Sequence, residues 1–498
     1  MRKALNDLDA RLFVQVASRR LRGADPRLSR LTRAADHGKL WMGTAAVLGA
    51  SGNRTARRAA LRGAGSLLIA SAAANIAAKG LTRRPRPALD PVPVVRRLLK
   101  QPITSSFPSG HSASAAAFAT ALAIESPVLG AVAAPVALGV MASRIYVGVH
   151  YPGDVLAGAA LGAGVAALTL RWWPRRIDRP AHTAAPQIKA PALAAGAGLF
   201  VVVNAASGAR AVAANTGPEH TVEELRKQLP QADIRVCGEG QDLAALLDQA
   251  AALAVKADGA LGVCGGDGTV NLAARVAVRE SLPLAVFPGG TLNHFATDLG
   301  SHTLRSTAEA VQAGSAATVD LGLLSGEETH QVFLNTFSVG IYPELVRVRE
   351  SLEKRLGKWP ALAVALVRVL ATAEPVRLSV SGVPRSLWML FAGNGSYDPP
   401  GFATTHRSDL DGGLLDVRAI DGSHPLARTR LALAFLTGTL AASPVYREAR
   451  LTAIDLTDLH DVHHLAVDGE AIPAPDRVRL AKAVAALTVY RPEDPAIA

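Results

Sequence analysis

Five apolar, alanine-rich runs occupy the first third of the chain, at about Leu40–Gly52, Ala64–Ala78, Ala113–Ile124, Pro127–Ala142 and Val155–Leu170. Each is shorter than the ~20 residues of a typical spanning helix, so flanking turns must extend them if they cross a bilayer. A soluble or half-submerged bundle packed through alanine is the other reading. Residues 1–38 ahead of them are polar and Arg-rich and predict surface helix. "RWWPRRIDRP", residues 171–180, closes the region with two Trp beside Arg, a composition suited to a membrane–water interface. Residues 181–196 predict a Pro/Ala linker. The period then changes. "GLFVVVNAASG", "DIRVCG", "GALGVCGG" and "PLAVFPGG" are short strand-like runs alternating with helix-like ones, which predicts a parallel α/β layer. From about Val319 the strands lengthen, as in "HQVFLNTFSVG" and "LWMLFAGNG", and predict a mostly antiparallel lobe interrupted by a helical segment near 343–372.

The pattern predicts a multi-domain chain: a basic arm at 1–38, an all-α bundle at 39–180, the linker at 181–196, an α/β lobe at 197–318 and a β-rich lobe at 319–498. Its 498 residues are too many for one ordinary domain. Hydrophobic residues make up 49% and charged ones 19%, which favours a membrane-embedded part. Residues 1–180 hold 26 Lys+Arg against 8 Asp+Glu, and the remainder holds 27 against 33. The basic part is also the apolar part, which points to anionic lipid headgroups. Nucleic acid is disfavoured, because the arginines lack interleaved aromatics and no binding motif occurs. Cys237 and Cys264 provide no disulfide framework. The basic N-terminus is not followed by the apolar run and cleavage site of a signal peptide.

Three clusters within residues 79–154 carry candidate chemistry. "KGLTRRPRP" holds Lys79 and Arg86, "PSGH" spans 108–111, and "SRIYVGVHYPGD" spans 143–154. Phosphoryl transfer needs cations around the equatorial oxygens, N–H donors, a nucleophile and an acid for the leaving group. Lys79, Arg86 and Arg144 can hold the oxygens. Ser109 and the Gly110 N–H stand at a helix start, a natural anion site. His150, four residues before Asp154, can attack while His111 protonates the leaving alkoxide. Two His and one Asp also suit a metal, but the surrounding cations would repel it. Lys-x6-Arg-Pro, Pro-Ser-Gly-His and Ser-Arg-x5-His-x3-Asp together resemble the signature of the type 2 phosphatidic acid phosphatases, over roughly residues 30–175. The resemblance implies a metal-free lipid phosphatase with a phosphohistidine on His150, Asp154 positioning that ring and His111 as acid. Vanadium haloperoxidases share this pocket, but their usual setting is soluble.

A second phosphate cradle is predicted at "CGGDGTVN", residues 264–271, between a strand and a helix-like run. Its glycines let backbone N–H groups approach a phosphate chain. Asp267 can reach Mg²⁺ and Thr269 a phosphate. "NAASG" (204–208) and "PGGTLNHFA" (288–296) also follow strands, so three loops meet at one edge of the sheet. These runs, with Asp411-Gly-Gly-Leu414 and Asp468-Gly-Glu470, resemble the catalytic domain of the diacylglycerol kinase family, which includes sphingosine kinases. The resemblance covers about residues 197–492. It implies that Asn204, Ser207, Gly266, Asp267, Gly268, Thr269 and Thr291 contact ATP or its Mg²⁺. It further implies that Asp468 and Glu470 form the base region, and that Asp411 and Leu414 hold a structural Mg²⁺. One position departs: His294 stands where the family often has an acidic residue, with Asp298 one turn further on as a substitute.

The combined expectation is a multi-pass membrane protein joining a lipid phosphate phosphatase to an ATP- and Mg²⁺-dependent lipid kinase in the cytoplasm. Its partners are membrane lipids. A polyprenyl-diphosphate phosphatase with a polyprenol-recycling kinase is the alternative, and a lipid-sensing scaffold with one inactive domain is a third. Crossing by all five segments puts the three phosphatase clusters on one face and the kinase on the other, and it places the arginines of a loop at 53–62 on the kinase's side.

Overall fold

The computed structural model describes residues 2–493 apart from 20–23, 52, 79–81, 83, 98–103, 176–179, 184–187, 207–217, 291–292, 328–329, 357–360, 362–363, 366–367, 370–372 and 402–405. The chain forms two compact units, Met1–Arg176 and Ile177–Ala498.

The first unit is helical: α1 (Arg2–Ser18), α2 (Ala24–Ala34), α3 (Lys39–Ala50), α4 (Arg54–Ala72), α5 (Gly110–Glu125), α6 (Pro127–Tyr146) and α7 (Pro152–Leu168). Helix starts follow local chemistry. Asn53, Ser109 and Ser126 cap α4, α5 and α6 with their side chains, and Pro127 and Pro152 open their helices where the missing N–H costs nothing. Helix α5 is the centre, packed on α4, α6 and α7. Its contact with α7 is backbone-close: a Cβ on Gly162 would lie 2.0 Å from the Ala113 carbonyl oxygen, and one on Gly158 would lie 2.4 Å from that of Ser109. The G-x-x-x-G spacing at 158–162 is the sequence signal for such a crossing. Gly162→Val should therefore force the two helices apart and destabilise the unit by roughly 3 kcal/mol, read as a lowered melting temperature in detergent.

Three helices, Arg54–Ile76, Pro127–Tyr146 and Pro152–Arg171, are long and apolar enough to cross a membrane. Flanking turns extend them beyond the apolar runs read in the sequence. By contrast, α3 has 12 residues and α5 has 16. Leu61, Leu68, Ile69 and Ile76, Val128, Val132 and Leu138, and Leu156 point outward from the three long helices. Buried charge and exposed aliphatic side chains are the arrangement a lipid solvent favours, and the unit is that of a membrane protein. The arginines at 54–62 stand on α4 rather than on a loop. Arg62 is fully buried, pairs with Glu125 at 2.7 Å, donates to Thr169 Oγ1 at 2.8 Å and lies 4.9 Å from the Trp173 ring centroid. Arg58 joins the same carboxylate at 3.0 Å. A satisfied ion cluster thus closes the C-terminal end of α5.

In the second unit the segment read as a linker contributes a short strand, Ile188–Lys189, paired antiparallel with Ser315 and Ala316. The parallel layer consists of β1 (Leu199–Asn204), β2 (Asp233–Cys237), β3 (Ala260–Gly265) and β4 (Leu284–Pro288), in the order β4-β3-β1-β2. Helices Pro218–Gln228, Leu243–Lys256, Asp267–Arg279 and Leu304–Ala313 cross between and after them. Val202 faces one core and Leu199, Val201 and Val203 the other. Both faces of the inner strands are covered, so β1, β3 and β4 are apolar almost throughout, whereas the edge strand β2 carries Asp233 and Arg235. The strand Val478–Tyr490 extends this sheet, parallel to β4 through the pair Val489↔Leu284, and pairs antiparallel with Ser315–Ser325. The remaining strands, including Thr336–Gly340, Val383–Asn394, Leu415–Asp421 and His464–Val467, are antiparallel around a third core that holds Phe333, Phe337, Leu390 and Leu465.

Two candidate active sites

In the helical unit the three motifs meet where α5 begins, α6 ends and α7 begins. His111 is in the first turn of α5, Arg144 in the last turn of α6, Asp154 in the first turn of α7, and His150 in the turn between α6 and α7. Ser109 N–H donates to the Asp154 carbonyl at 2.9 Å, which clamps the second motif on the third. Its Oγ caps α5 and accepts from Ser112 Oγ at 2.9 Å, so Ser109 serves the helix start. The Gly110 N–H lies in the first turn, where no intrahelical acceptor exists.

His150 is buried, and its Nδ1 sits 2.8 Å from the Ser106 carbonyl. That contact fixes the tautomer with the proton on Nδ1 and leaves Nε2 with a lone pair. Asp154 Oδ2 is further from Nδ1, at 3.7 Å, and instead accepts the Tyr151 N–H at 2.9 Å. Its Oδ1 accepts from Arg84 Nη1 at 2.7 Å. The carboxylate thus stands behind the ring, while a backbone carbonyl makes the direct bond. Arg86 donates to the Val149 carbonyl at 2.8 Å and to the Thr104 carbonyl at 2.9 Å, pinning the His150 turn. Arg144 is buried and its Nη1 donates to Thr32 Oγ1 at 2.6 Å. Its Nε has no hydrogen-bond partner. A buried, unsatisfied guanidinium N–H is costly unless an anion reaches it, and it fits a phosphate oxygen. Lys79 lies outside the described residues. Burial, reinforced by Arg144, lowers His111 to about 4 against the pull of Asp36. Burial also lowers His150 to about 4, with Asp154 opposing and Arg144 and Arg86 reinforcing it.

In the second unit the loops after β1, β3 and β4 converge. Asn204 Nδ2 donates to Thr269 Oγ1 at 2.8 Å, joining the first loop to the helix Asp267–Arg279. The His294 N–H donates to Asp267 Oδ1 at 2.8 Å, joining the second loop to the third. A Cβ on Gly290 would lie 2.5 Å from the Gly266 Cα, so these loops touch backbone to backbone. The result is a glycine-lined helix N-terminus with one carboxylate at its rim, which fits a nucleotide polyphosphate and its Mg²⁺. Among the described residues no three His, Cys, Asp or Glu are grouped so as to hold a metal ion. An ion at Asp267 would be completed by phosphate oxygens. The Leu414 carbonyl, near Asp411 in sequence, accepts the Gly395 N–H at 3.3 Å. Ser207 and Thr291 lie outside the described residues.

Asp468 and Glu470 divide their work. Asp468 Oδ2 accepts the Leu334 N–H at 2.8 Å, and Oδ1 accepts those of Asn335 and Thr336 at 2.7 and 2.8 Å. Burial raises its carboxyl above the usual range, against those three bonds. Glu470 is exposed, and a Cβ on Gly268 would lie 3.1 Å from its Oε1. The free carboxylate therefore faces the glycine-rich loop, and Asp468 shapes the turn that carries it. His294 has an exposed side chain. Asp298, the substitute read from the sequence, pairs with Arg407, which is fully buried and donates to its Oδ2 through Nε at 3.0 Å and Nη2 at 2.7 Å. Arg407 Nη1 also donates to the Leu334 carbonyl at 2.6 Å, which connects the third loop to the backbone holding Asp468.

Sequence reasoning passed over Asp9, Thr32, Asp36, Arg84, Ser106, Asp320, Arg407 and Lys482. Asp320, whose Oδ1 and Oδ2 accept the Ala485 and Gly413 N–H at 2.8 Å, also faces Lys482 Nζ at 3.5 Å. Burial lowers that lysine to about 8. A lone carboxylate inside the apolar run "TVDLGLL" was the available signal for Asp320. The others carried none, since their partners lie far away in sequence.

The PAP2 superfamily matches residues 60–178, and the diacylglycerol kinase catalytic domain matches residues 198–324. Over 275 residues, 52% of this chain and 84% of the relative, the sequence is 28% identical to a diacylglycerol kinase of Mycobacterium tuberculosis. Over 125 residues, 25% of this chain and 66% of the relative, it is 39% identical to a decaprenylphosphoryl-5-phosphoribose phosphatase of the same species. A crystal structure of a diacylglycerol kinase from Bacillus anthracis covers 60% of this chain and 98% of its own, with 16% identity and a TM-score of 0.40.

Proposed function

Because the chain carries a PAP2 domain followed by a diacylglycerol kinase catalytic domain, we propose that it is a bifunctional lipid enzyme, a phosphatase for lipid phosphates and an ATP-dependent kinase for lipid alcohols, anchored in the membrane by several spans with the kinase in the cytoplasm. The observation that supports the phosphatase best is the free Nε2 of His150 beside a buried Arg144 with an unpartnered Nε. His150 Nε2 attacks phosphorus, the ester P–O bond breaks, and His111 gives its proton to the departing alkoxide. Water then attacks the phosphohistidine. His111 takes the water's proton, the P–N bond breaks and inorganic phosphate leaves. Arg144, Arg86 and Lys79 neutralise the oxygens throughout.

In the kinase, Asn204, Ser207, the loop Gly266–Gly268, Thr269 and Thr291 hold the nucleotide, and Asp267 holds Mg²⁺. Mg²⁺–ATP, when bound, supplies the γ-phosphoryl group. Glu470 accepts the proton of the lipid hydroxyl, and Asp468 positions it. Glu470→Gln should lower kcat by about 10²-fold or more with little change in ATP binding. Asp468→Asn should lower thermal stability as well, since all three N–H groups lose a charged acceptor and the amide NH₂ that replaces one oxygen leaves at least one of them without any. Equal effects of both variants on melting temperature would refute this division.

The histidine values set the pH profile. His150 must be neutral to attack, so kcat/KM is retained above about 4 and falls as pH drops through it. His111 must carry a proton when the ester bond breaks, yet in the ligand-free site it too titrates at about 4. The proton then arrives with the phosphomonoester, whose second ionisation lies near ~6. Phosphatase kcat/KM should therefore fall with rising pH above about 6, and a flat profile from pH 6 to 8 would contradict the scheme. A second reading, phosphate removal from a polyprenyl carrier with the kinase recycling the alcohol, draws on the M. tuberculosis decaprenyl relative. Thin-layer assay against phosphatidate, polyprenyl diphosphate, diacylglycerol and polyprenol, with and without ATP, tests both readings.

A further inference from the structure

Groups of the phosphatase site lean on side chains from residues 9–36, upstream of the matched region 60–178. Thr32 accepts from Arg144. Asp9, on α1, accepts from Arg84 Nη2 at 2.6 Å and from the Gly153 N–H at 2.7 Å, while the other arm of Arg84 reaches Asp154. Asp36 Oδ1 lies 2.9 Å from His111 Nε2. The first two contacts bear on guanidinium groups, which keep their charge across the working pH range. The third differs, because it is the one side-chain hydrogen bond seen on the His111 ring among the described residues.

An imidazole that must deliver a proton to one oxygen needs a fixed plane and a fixed tautomer, and a carboxylate on the far nitrogen supplies both. With Nε2 turned to Asp36, Nδ1 is the nitrogen left to face the substrate. Arg144 and His150 also face this ring, and both oppose its protonation. Asp36 alone favours it, and with 43% of its side chain exposed it also remains open to exchange with water. We propose that Asp36 is a positioning residue for His111, so that the phosphatase carries a second Asp–His pair supplied by its N-terminal arm. The inference rests on the reading of His111 as the proton donor.

The test separates leaving groups. An alkyl phosphate releases a strongly basic alkoxide and needs the acid; p-nitrophenyl phosphate releases a stable phenolate and does not. In the purified full-length chain in detergent, Asp36→Asn should lower kcat/KM, which excludes the shared hydrolysis step where His111 is the base, by about 10- to 100-fold on a short-chain phosphatidate and by less than about threefold on p-nitrophenyl phosphate. Asp36→Glu should recover most of the loss. Equal loss on both substrates, as misfolding would produce, or no loss on either, overturns the inference. His111→Asn is the control: a selective loss on the alkyl substrate upholds its role as acid. If His111→Asn is selective and Asp36→Asn is not, the inference alone fails. If His111→Asn affects both substrates equally, the acid assignment fails and the inference falls with it.

Discussion

His150→Ala is expected to lower lipid phosphate hydrolysis by on the order of 10³-fold or more, while ATP-dependent phosphorylation of a lipid alcohol by the same chain stays within about twofold. The loss is large because alanine removes the atom that bonds to phosphorus, and His111 and Ser109 are engaged elsewhere. His111 Nε2 is turned to Asp36, and Ser109 Oγ is tied to Ser112. The kinase is spared because His150 belongs to the unit Met1–Arg176, whereas every residue assigned to the kinase lies in Ile177–Ala498. Assay of both activities on one preparation is the measurement. Retained hydrolysis would rule out the phosphohistidine. Loss of both activities in a folded variant would rule out two independent sites.

The second large effect concerns metal and Asp267. Asp267→Asn should lower kinase turnover by about 10²-fold or more and leave hydrolysis unchanged. Asparagine keeps an oxygen for the His294 N–H, so the contact between the second and third loops survives. What goes is the negative charge at the rim of the cradle, which a divalent cation needs. Chelation by EDTA should act in parallel, abolishing the kinase until Mg²⁺ is restored and sparing the phosphatase, where guanidinium groups clamp the phosphate. An EDTA-sensitive phosphatase would mean that His111, His150 and Asp154 have been misread. A kinase that works in EDTA would remove Asp267 from its role.

The motifs were legible because phosphate chemistry demands particular residues at short spacings. His150 and Asp154 occupy one turn and the next helix start, and Gly266, Asp267, Gly268 and Thr269 one strand-to-helix turn, so local sequence carries their geometry. The parallel layer was legible for a similar reason, since strands buried on both faces must be apolar throughout. The length of the helix Arg54–Ile76 was not, because Arg54–Arg62 reads as polar until Glu125 and Trp173 are brought against it.

What the sequence determined by itself was the inventory: two groups of residues of the kind that handle phosphate, one in an apolar basic segment matched by the PAP2 superfamily and one in an α/β segment matched by the diacylglycerol kinase catalytic domain, and the side chains proposed for their chemistry. The tertiary structure decided how those side chains are held. It set the Ser106 carbonyl rather than Asp154 on His150, made Asp468 a backbone clamp and left Glu470 free, and committed Asp298 to Arg407. It also brought Asp9, Thr32 and Asp36 to the phosphatase motifs from sequence separations of 75 to 144 residues. A hydrogen bond across such a distance depends on where helices cross, and helix crossing is governed by the sum of many small packing contacts that no short window of sequence contains.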